Sequence, residues 1–216
     1  MNSIEHVRNV IDQEVFDYTQ LMLALTDYRK PRDLLTSLMQ EGRIIRIRKG
    51  LYIFGDAYRR SPIPTEMLAN LIYGPSLISL DFALSWYGLI PERVYEITSI
   101  STGRSRRFDT PVGRYSYHQV SPIRMAYGAT IVKRPAGNWI MCEPVKALAD
   151  KVWTDKRFNP TSRGAYPDYI FEDLRIDEKL LGDLCKKADL VDLEKNYAAR
   201  KISWLVEFLK SFYNLI

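Results

Sequence analysis

The sequence is poor in the residues that most often carry catalysis, metal binding and disulfide bonding. Its 216 residues include two cysteines, Cys142 and Cys185, and two histidines, His6 and His118. Two widely separated cysteines argue against a disulfide framework and favour a reducing compartment, so we expect a cytoplasmic protein. Neither cysteine has a histidine near it in sequence, and the CxxC, HxxxH and HExxH spacings of common metal sites do not occur. We therefore expect no catalytic residues, no metal and no cofactor.

Long apolar runs and glycine-rich phosphate loops are also missing. No stretch approaches the roughly 18 apolar residues that a membrane-spanning helix needs, so no membrane partner is expected. The first residues, "MNSIEHVRNVIDQEV", mix charged and apolar side chains, which is not typical of a secretory signal. The segment "YGPSLIS" has neither the lysine nor the spacing of a P-loop. We therefore expect neither a membrane protein nor a P-loop enzyme.

The charge that is present is distributed unevenly along the chain. The net charge is +5, yet Arg29 to Arg60 holds nine basic and three acidic residues. Gly103 to Arg134 holds seven basic and one acidic residue, whereas Tyr166 to Asn196 holds five basic and nine acidic. Two basic zones and an acidic tail indicate a polyanion-binding face on one side of the protein. The alternative is that each zone is ordinary solvated surface.

The first forty residues have the pattern of three helices. Apolar residues at helical spacing predict a helix over residues 3–14. A second helix is predicted in "QLMLALTDY", with Thr19 as its cap. The third is predicted in "RKPRDLLTSLMQEG", where Pro31 suits the first turn and Gly42 suits the C-terminal stop.

A basic hairpin is predicted directly after the third helix, in "EGRIIRIRKGLYIF" at residues 41–54. Ile45 and Ile47 alternate with Arg46 and Arg48, which predicts one apolar face and one basic face. Lys49 and Gly50 supply the turn. Three helices followed by a hairpin are the order of a winged helix-turn-helix, in which the third helix enters the major groove. We therefore predict a DNA-binding domain over residues 1–58.

The predicted third helix divides into a core face and an exposed face. Leu34, Leu35 and Leu38 face the core, and Asp33 can serve the helix dipole. On the exposed face, we expect base contacts from Arg32, Thr36, Ser37 and Gln40. Basic side chains before the helix and on the hairpin complete the predicted DNA-binding set, with phosphate as their expected target: Arg29, Lys30, Arg43, Arg46, Arg48 and Lys49.

The rest of the chain has the pattern of a larger α+β domain over residues 64–216. "DAYRRSPIP" at residues 56–64 has two prolines and no apolar periodicity, so it is predicted to be a linker. Helices are predicted over 64–73 and 79–88, with Ser79 as the cap of the second. Strands follow in "VYEITSIS", "GRYSYHQV", "ATIVKRP" and "NWIMC", then a helix in "EPVKALADKVW", a polar loop, "TDKRFNPTSRGAYPD", and a helical tail.

A second basic cluster lies in the predicted loop "TGRSRRFDTPVG". Its three arginines are Arg104, Arg106 and Arg107. They could contact phosphate or hold an RNA or an acidic partner, or they could simply occupy an exposed hairpin tip. Tyr115 and Tyr117 on the next strand could stack on bases, or they could pack in an ordinary half-buried sheet.

One enzymatic alternative rests on acidic residues near the C-terminus. "PD" at residues 167–168 and "DEK" at 177–179 loosely match the acidic-acidic-lysine arrangement of a metal-dependent nuclease. Against this, Asp177 and Lys179 lie in a helix-like polar stretch. Short matches of this kind are frequent in charged regions.

Three sequence blocks resemble a known family, the AbiEi-type antitoxins of type IV abortive-infection toxin–antitoxin systems. They are "LLTSLMQEGRIIRIRKGLYIF", "GPSLISLDFALSWYGLIPE" and "MCEPVKALADKV", and together they place the resemblance over about residues 15–155. The sequence departs from the family pattern at Tyr87, where a histidine is expected, and we expect a packing role for that position.

The resemblance implies a non-enzymatic cytoplasmic repressor. Such proteins bind inverted repeats in double-stranded DNA upstream of their own operon, and their C-terminal domain counters a nucleotidyltransferase-like toxin without a stable complex. The residues themselves leave a different class open, in which the winged helix is a protein-interaction or RNA-binding module.

Overall fold

The computed structural model describes residues 3–215, which form a mixed structure of helices and two β-sheets. The first unit is built around the smaller sheet. Its elements in chain order are α1 (Ser3–Val10), β1 (Val15–Asp17), α2 (Tyr18–Ala24), α3 (Pro31–Gln40), β2 (Ile44–Arg48) and β3 (Leu51–Phe54).

The three strands of the first unit are antiparallel and lie in the order β1-β3-β2. All four side chains of the central strand β3 are buried. Tyr52 and Phe54 pack with the three helices, in a small core that also holds Leu35 and Leu38. Leu51 and Ile53 belong to the core of the rest of the molecule. The sheet is therefore packed on both faces, with the first unit's helices on one side and the second unit on the other.

The predicted helices of this unit are present, with changes at their starts and ends. The first helix ends at Val10 rather than at 14, and the short strand β1 was not predicted. The second helix begins at Tyr18 and its cap is Asp17, not Thr19. The Asp17 carboxylate accepts the Gln20 backbone N–H, and the Gln20 side chain accepts the Asp17 N–H. This reciprocal pair is a capping box, which satisfies two donors that the helix start leaves open.

The predicted linker is fastened to the first unit. It begins with a 3₁₀ turn over Asp56–Tyr58. The Glu14 carboxylate then accepts the backbone N–H groups of Arg60 and Ser61 at 3.0 and 3.1 Å. The same oxygen forms a buried ion pair with Arg8 at 2.8 Å. Because one carboxylate oxygen holds α1 and the linker together, this stretch is structured.

The second unit contains the larger sheet and the helical tail. Its first elements are α4 (Thr65–Ile72), β4 (Ser76–Ile78), α5 (Leu80–Trp86), β5 (Ile97–Ser101), β6 (Arg106–Thr110), β7 (Gly113–Gln119), α6 (Pro122–Ala126), β8 (Ala129–Arg134) and β9 (Gly137–Cys142). These are followed by α7 (Pro144–Thr154), a π-helical turn (Asp168–Asp173), α8 (Glu178–Cys185), α9 (Leu190–Tyr197) and α10 (Arg200–Phe212). No helix within residues 3–215 has both the length and the apolar character needed to cross a membrane.

The six strands of the larger sheet lie in the order β6-β7-β5-β4-β9-β8. β5 is parallel to β7, and β4 is parallel to β9, while the remaining neighbours are antiparallel. The predicted basic loop is wrong in part, because β6 occupies its second half and pairs with β7. The predicted polar loop after α7 is held in place by Lys201, whose ammonium donates to the Asp155 carbonyl at 2.8 Å.

The end of α3 is joined to the hairpin by a close backbone contact. Gly42 has φ of +67°, a left-handed conformation that ends the helix as the sequence predicts. The Gly55 N–H donates to the Arg43 carbonyl at 2.8 Å. A Cβ added at Gly55 would lie 2.0 Å from the Gly42 carbonyl oxygen. The base of the hairpin therefore has no space for a side chain at Gly55, and this contact sets the position of α3 relative to β2.

We expect Gly55→Ala to lower the free energy of unfolding by about 1–3 kcal/mol, because the added methyl group would collide with backbone rather than with a movable side chain. Gly164→Ala is the matched control, since its Cβ would meet only the Ser162 hydroxyl at 3.5 Å. Its change should stay within about 1 kcal/mol. Urea unfolding of both variants measures the difference. Equal stabilities would show that the contact at Gly55 relaxes freely.

Candidate nucleic-acid interface

Helix α3 presents a polar face opposite its buried leucines. Leu35 and Leu38 are buried in the small core, and Leu34 packs partly against it. Arg32, Thr36 and Gln40, at spacings of four residues, are exposed. Side chains four apart lie on one side of a helix, so these three form a single row. The division of α3 into a core face and an exposed face is confirmed.

Hydrogen bonds within the helix already engage part of this face. The Thr36 hydroxyl donates to the Arg32 carbonyl at 3.0 Å, and the Ser37 hydroxyl donates to the Glu41 carboxylate at 2.6 Å. Ser37 is also half-buried. Within residues 3–215, neither the Arg32 guanidinium nor the Gln40 amide has a hydrogen-bonding partner in the protein. These two side chains are therefore the members of the predicted base-contacting set that remain free to bind an external ligand.

Acidic residues hold two of the predicted phosphate-binding cations. The other carboxylate oxygen of Glu41 forms an ion pair with Arg43 at 2.6 Å, and Arg43 is half-buried. Lys30 lies 3.9 Å from Asp33, and both side chains are largely exposed. An exposed pair at this distance contributes little energy, so Lys30 stays available, whereas Arg43 has a close partner. The contacts of Glu41 with Ser37 and Arg43 were not predicted, although its spacing of four residues from Ser37 indicates a contact on one side of the helix.

The hairpin does not place its arginines on one face. A β-bulge lies between Arg46 and Arg48, so that Arg46 is opposite Tyr52 and Arg48 is opposite Leu51. Tyr52 and Leu51 are neighbours in one strand and project to opposite faces, and their cross-strand partners project with them. Arg46 therefore lies on the side of the three helices, and Arg48 on the side of the second unit. The predicted alternation of an apolar and a basic face is wrong at this point.

Two further observations place the end of β2 against the second unit. Ile47, within the bulge, is buried in the large core. Burial, and then the neighbouring Tyr115, raise the pKa of Tyr117, and Arg48 acts in the opposite direction. This direction agrees with the side of the sheet on which the strand register places Arg48. Lys49 is exposed at the turn, where Gly50 adopts a φ of +86°.

Eight of the ten predicted DNA-binding side chains are thus exposed, and Ser37 and Arg43 are the half-buried exceptions. The exposed ones are Arg29, Lys30, Arg32, Thr36, Gln40, Arg46, Arg48 and Lys49. Most of this set lies on or just before α3, at Arg46 on the helix side of the hairpin and at the turn residue Lys49, while Arg48 is directed towards the second unit.

The second basic patch lies on the outer strand of the larger sheet. Arg104, Arg106 and Arg107 are all exposed, and the Arg106 guanidinium lies 5.5 Å from the centre of the Tyr73 ring. Tyr115 and Tyr117 are buried, and their hydroxyls donate to the carbonyls of Thr65 and Ala69 at 3.3 and 2.7 Å. These tyrosines pack in the core and cannot stack on bases. Of the two roles considered for them, packing within the sheet is the correct one.

His118 lies on the strand next to this patch. Burial, and then the nearby Arg107 charge, lower the pKa of its imidazole. A lowered pKa keeps the ring neutral at physiological pH. His118 therefore adds no positive charge to the patch at that pH.

A buried polar cluster joins two of the three sequence blocks that carry the family resemblance. The Lys146 ammonium donates to both carboxylate oxygens of Asp150 at 2.6 Å, and both side chains are buried. Ser79 donates to the same carboxylate at 2.7 Å. Tyr197 also donates to it, and Lys146 donates to the Tyr197 hydroxyl at 2.9 Å. Ser79 occupies the N-cap position of α5 as predicted, but its hydroxyl is bonded to Asp150 and makes no capping hydrogen bond to the helix.

The cluster is a structural tie rather than a reactive centre. All of its side chains are at most 1% exposed, and they join α7 to α9 and to the start of α5. Burial, followed by Asp150, raises the pKa of the Cys142 thiol, and burial raises the pKa of Cys185 to about 12. Both thiols therefore stay protonated at neutral pH, which makes them poor nucleophiles.

The acidic residues of the nuclease alternative do not lie together as the ligands of a metal ion would. The Asp177 carboxylate accepts the Leu180 N–H at 2.7 Å and caps α8, while Asp168 and Lys179 are exposed. Among residues 3–215, no group of three or more histidine, cysteine, aspartate or glutamate side chains could hold a metal ion.

We expect Asp150→Asn to lower the free energy of unfolding by about 3–5 kcal/mol, because it leaves the buried Lys146 ammonium without its counter-charge. Glu92→Gln is the control, since Glu92 forms an exposed pair with Arg175 at 2.7 Å. Its effect should stay within about 1 kcal/mol. Denaturant unfolding of both variants compares the buried pair with the exposed one. A small loss in Asp150→Asn would mean that the cluster tolerates an unpaired ammonium.

Comparison with known proteins gives a likeness in fold. No protein-family model and no curated protein matches this sequence. The structure is similar to the crystal structure of the RV2827C protein from Mycobacterium tuberculosis, with a TM-score of 0.60 and 17% sequence identity. The similarity covers 96% of this chain and 75% of the mycobacterial chain. Nearly the whole chain thus shares its mixed α and β fold with that protein, and at this identity the likeness extends to the fold alone.

Proposed function

We propose that the protein is a DNA-binding transcriptional regulator whose first unit is a winged helix-turn-helix. In this proposal α3 is the recognition helix and the β2–β3 hairpin is the wing. The single observation that carries it is the exposed row on α3, Arg32, Thr36 and Gln40, beside a basic hairpin in fixed register. A helix of this kind fits the major groove, where arginine pairs with guanine and glutamine with adenine.

The order of elements supports this assignment of the first unit. Helix, strand, helix, helix and two strands follow one another, and the strands form a sheet in the order β1-β3-β2. α3 is fixed on the small core by its leucines and joined to the hairpin by the contact at Gly55. Preorganised elements of this kind lose little conformational entropy when they bind.

The basic residues before α3 and on the proposed wing are not equally available to phosphate. Arg29, Arg46 and Lys49 are exposed and have no carboxylate partner within residues 3–215. Arg48 faces the second unit, because of the bulge. Together with Lys30, which is exposed and only weakly paired with Asp33, four phosphate contacts give a salt slope of about −3.6 for each bound unit, at roughly −0.9 per neutralised phosphate.

The test is binding of the full chain to a duplex from upstream of its gene, with a scrambled duplex as competitor, at several salt concentrations. Arg46→Ala should weaken binding to both duplexes and reduce the magnitude of the salt slope by about 1. Arg48→Ala is the matched comparison and should change the slope much less. A larger loss in Arg48→Ala than in Arg46→Ala would contradict the proposed orientation of the wing.

The family resemblance extends the proposal to a cytoplasmic type IV antitoxin. In that case the operator contains inverted repeats, and the protein represses its own operon. The second unit counters a nucleotidyltransferase-like toxin without forming a stable complex with it. The buried polar cluster supports this extension in one limited way. Its hydrogen bonds hold together two of the three sequence blocks that resemble the antitoxin family, through Ser79, Lys146, Asp150 and Tyr197.

The two proposed activities can be separated with point variants. Removal of residues 1–58 would expose core residues, since Leu51 and Ile53 pack against the second unit. The double variant Arg32→Ala/Gln40→Ala changes only exposed side chains. We expect it to lose sequence-specific binding and to retain protection of cells that express the neighbouring toxin. Loss of protection together with DNA binding, with the fold intact by circular dichroism, would contradict a separate role for the second unit.

A further inference from the structure

A concave groove opens on the second unit, and none of the predicted DNA-binding residues lines it. It encloses about 380 Å³ between the start of α4, the exposed side of α5 and the β6–β7 turn. This volume lies within the range of ligand pockets, at its small end.

Two aromatic side chains of this groove are unusually accessible. Tyr95 is 74% exposed and Trp86 is 37% exposed. Trp86 packs against two other rings, because it stacks on Phe82 with ring centres 6.5 Å apart and meets Trp139 edge-on at 5.4 Å. Large apolar rings left in water in a concave site are characteristic of binding sites. Trp86 offers a ring supported by two aromatic neighbours, and Tyr95 a ring that is largely open to a ligand.

Three arginines surround these rings. The Arg93 guanidinium lies 5.2 Å from the centre of the Tyr95 ring, and that of Arg134 lies 5.8 Å from the Trp86 ring. Arg114 is on the β6–β7 turn side of the groove. In the described part of the chain, residues 3–215, none of the three forms an ion pair with a carboxylate within 4.0 Å. The cations are therefore available to an anionic ligand.

One acidic side chain, Glu66, also lines the groove. Its carboxylate accepts a hydrogen bond from the Thr65 hydroxyl at 3.2 Å. Two arginines in the lining, Arg93 and Arg114, outnumber it, and Arg134 adds a third positive charge nearby. The groove is thus positive on balance, with aromatic walls.

We propose that this groove binds a nucleotide, with the base stacked on Tyr95 and Trp86 and the phosphate held by Arg93 and Arg114. Aromatic rings and arginines together are the combination that binds unpaired bases and their phosphates. The bases of a duplex are already stacked on one another and do not fit this arrangement. The ligand is therefore a free nucleotide or an unpaired residue of a single strand, and it is distinct from the duplex proposed for α3.

The experiment is isothermal titration of the full chain with ATP and, separately, with a short oligothymidylate. Tyr95→Ala should weaken binding about fivefold or more, because one base-stacking contact is lost. Tyr95→Phe keeps the ring and should bind like the native protein. Tyr95 is mostly exposed, so both variants should fold, and a thermal melt checks this.

Charge is tested with a matched pair of arginine variants. Arg93→Ala should weaken binding and reduce its salt dependence. Arg200→Ala removes an equivalent arginine over an aromatic ring, 4.7 Å from Trp204 on α10, and should leave binding unchanged. Similar affinity for ATP and the oligonucleotide identifies a free nucleotide as the ligand, whereas affinity for the oligonucleotide alone identifies a single strand. Either result supports the proposal.

The proposal is overturned if the native protein binds neither probe at millimolar concentration. It is also overturned if Tyr95→Ala binds as well as the native protein, or if inorganic tripolyphosphate or a glutamate-rich peptide competes as well as the nucleotide does. Duplex binding by α3 should be the same in Tyr95→Ala and native protein. Failure of the nucleotide proposal and failure of the proposed DNA-binding function can therefore be told apart.

Discussion

The double burial of strand β3 is the constraint on which the arrangement of the molecule depends. Tyr52 and Phe54 complete the small core of the first unit, while Leu51 and Ile53 belong to the large core. A four-residue strand with both faces buried cannot shift by one residue without exchanging its two sets of side chains between the cores. The register of the hairpin, and with it the position of every basic residue on β2, is therefore set by packing. Ile47 joins the large core by the ordinary alternation of the strand, and the bulge after it brings Arg48 opposite Leu51, so that Arg46 and Arg48 project from opposite faces.

Two buried ion pairs act with this packing in different places. The pair of Arg8 and Glu14 fastens α1 to the connection between the units, and the Arg8 guanidinium also lies 4.4 Å from the Phe54 ring. The pair of Lys146 and Asp150 ties α7 to the helical tail through Tyr197. Buried pairs of this kind contribute less net stability than specificity, because desolvation offsets much of their attraction. They favour one arrangement of helices over others that would leave a charge unpaired in the core.

The sequence predicted the elements whose signals are local. α3 could be assigned with both ends, because Pro31 and Gly42 mark them and the leucines repeat at helical spacing. The helices α4 and α5 were also placed within two residues at each end. Their apolar periodicity is contained within the element, so no distant contact was needed to recognise them.

Features decided by contacts distant in sequence were missed. The alternation of Arg46 and Arg48 gave no sign of the bulge, because a bulge is a property of the pairing of β2 with β3 and not of the residue pattern within β2. Ser79 has the sequence character of a cap, but Asp150, 71 residues away, takes its hydroxyl. Within the candidate interface, the exposed row on α3 was predictable from helical spacing. The engagement of Arg43 by Glu41 and the groove beside Trp86 required the folded chain.

The exposed face of α3 is proposed to contact duplex DNA together with Arg46 and Lys49 of the hairpin. Hydrogen–deuterium exchange tests this most directly. The full chain is compared with and without a duplex from upstream of its gene. Slower exchange should appear in peptides covering residues 29–40 and 45–50, while α10 should be unchanged. Protection confined to residues 103–107, or none at all with the duplex in excess, would contradict a DNA-binding role for α3 and the hairpin.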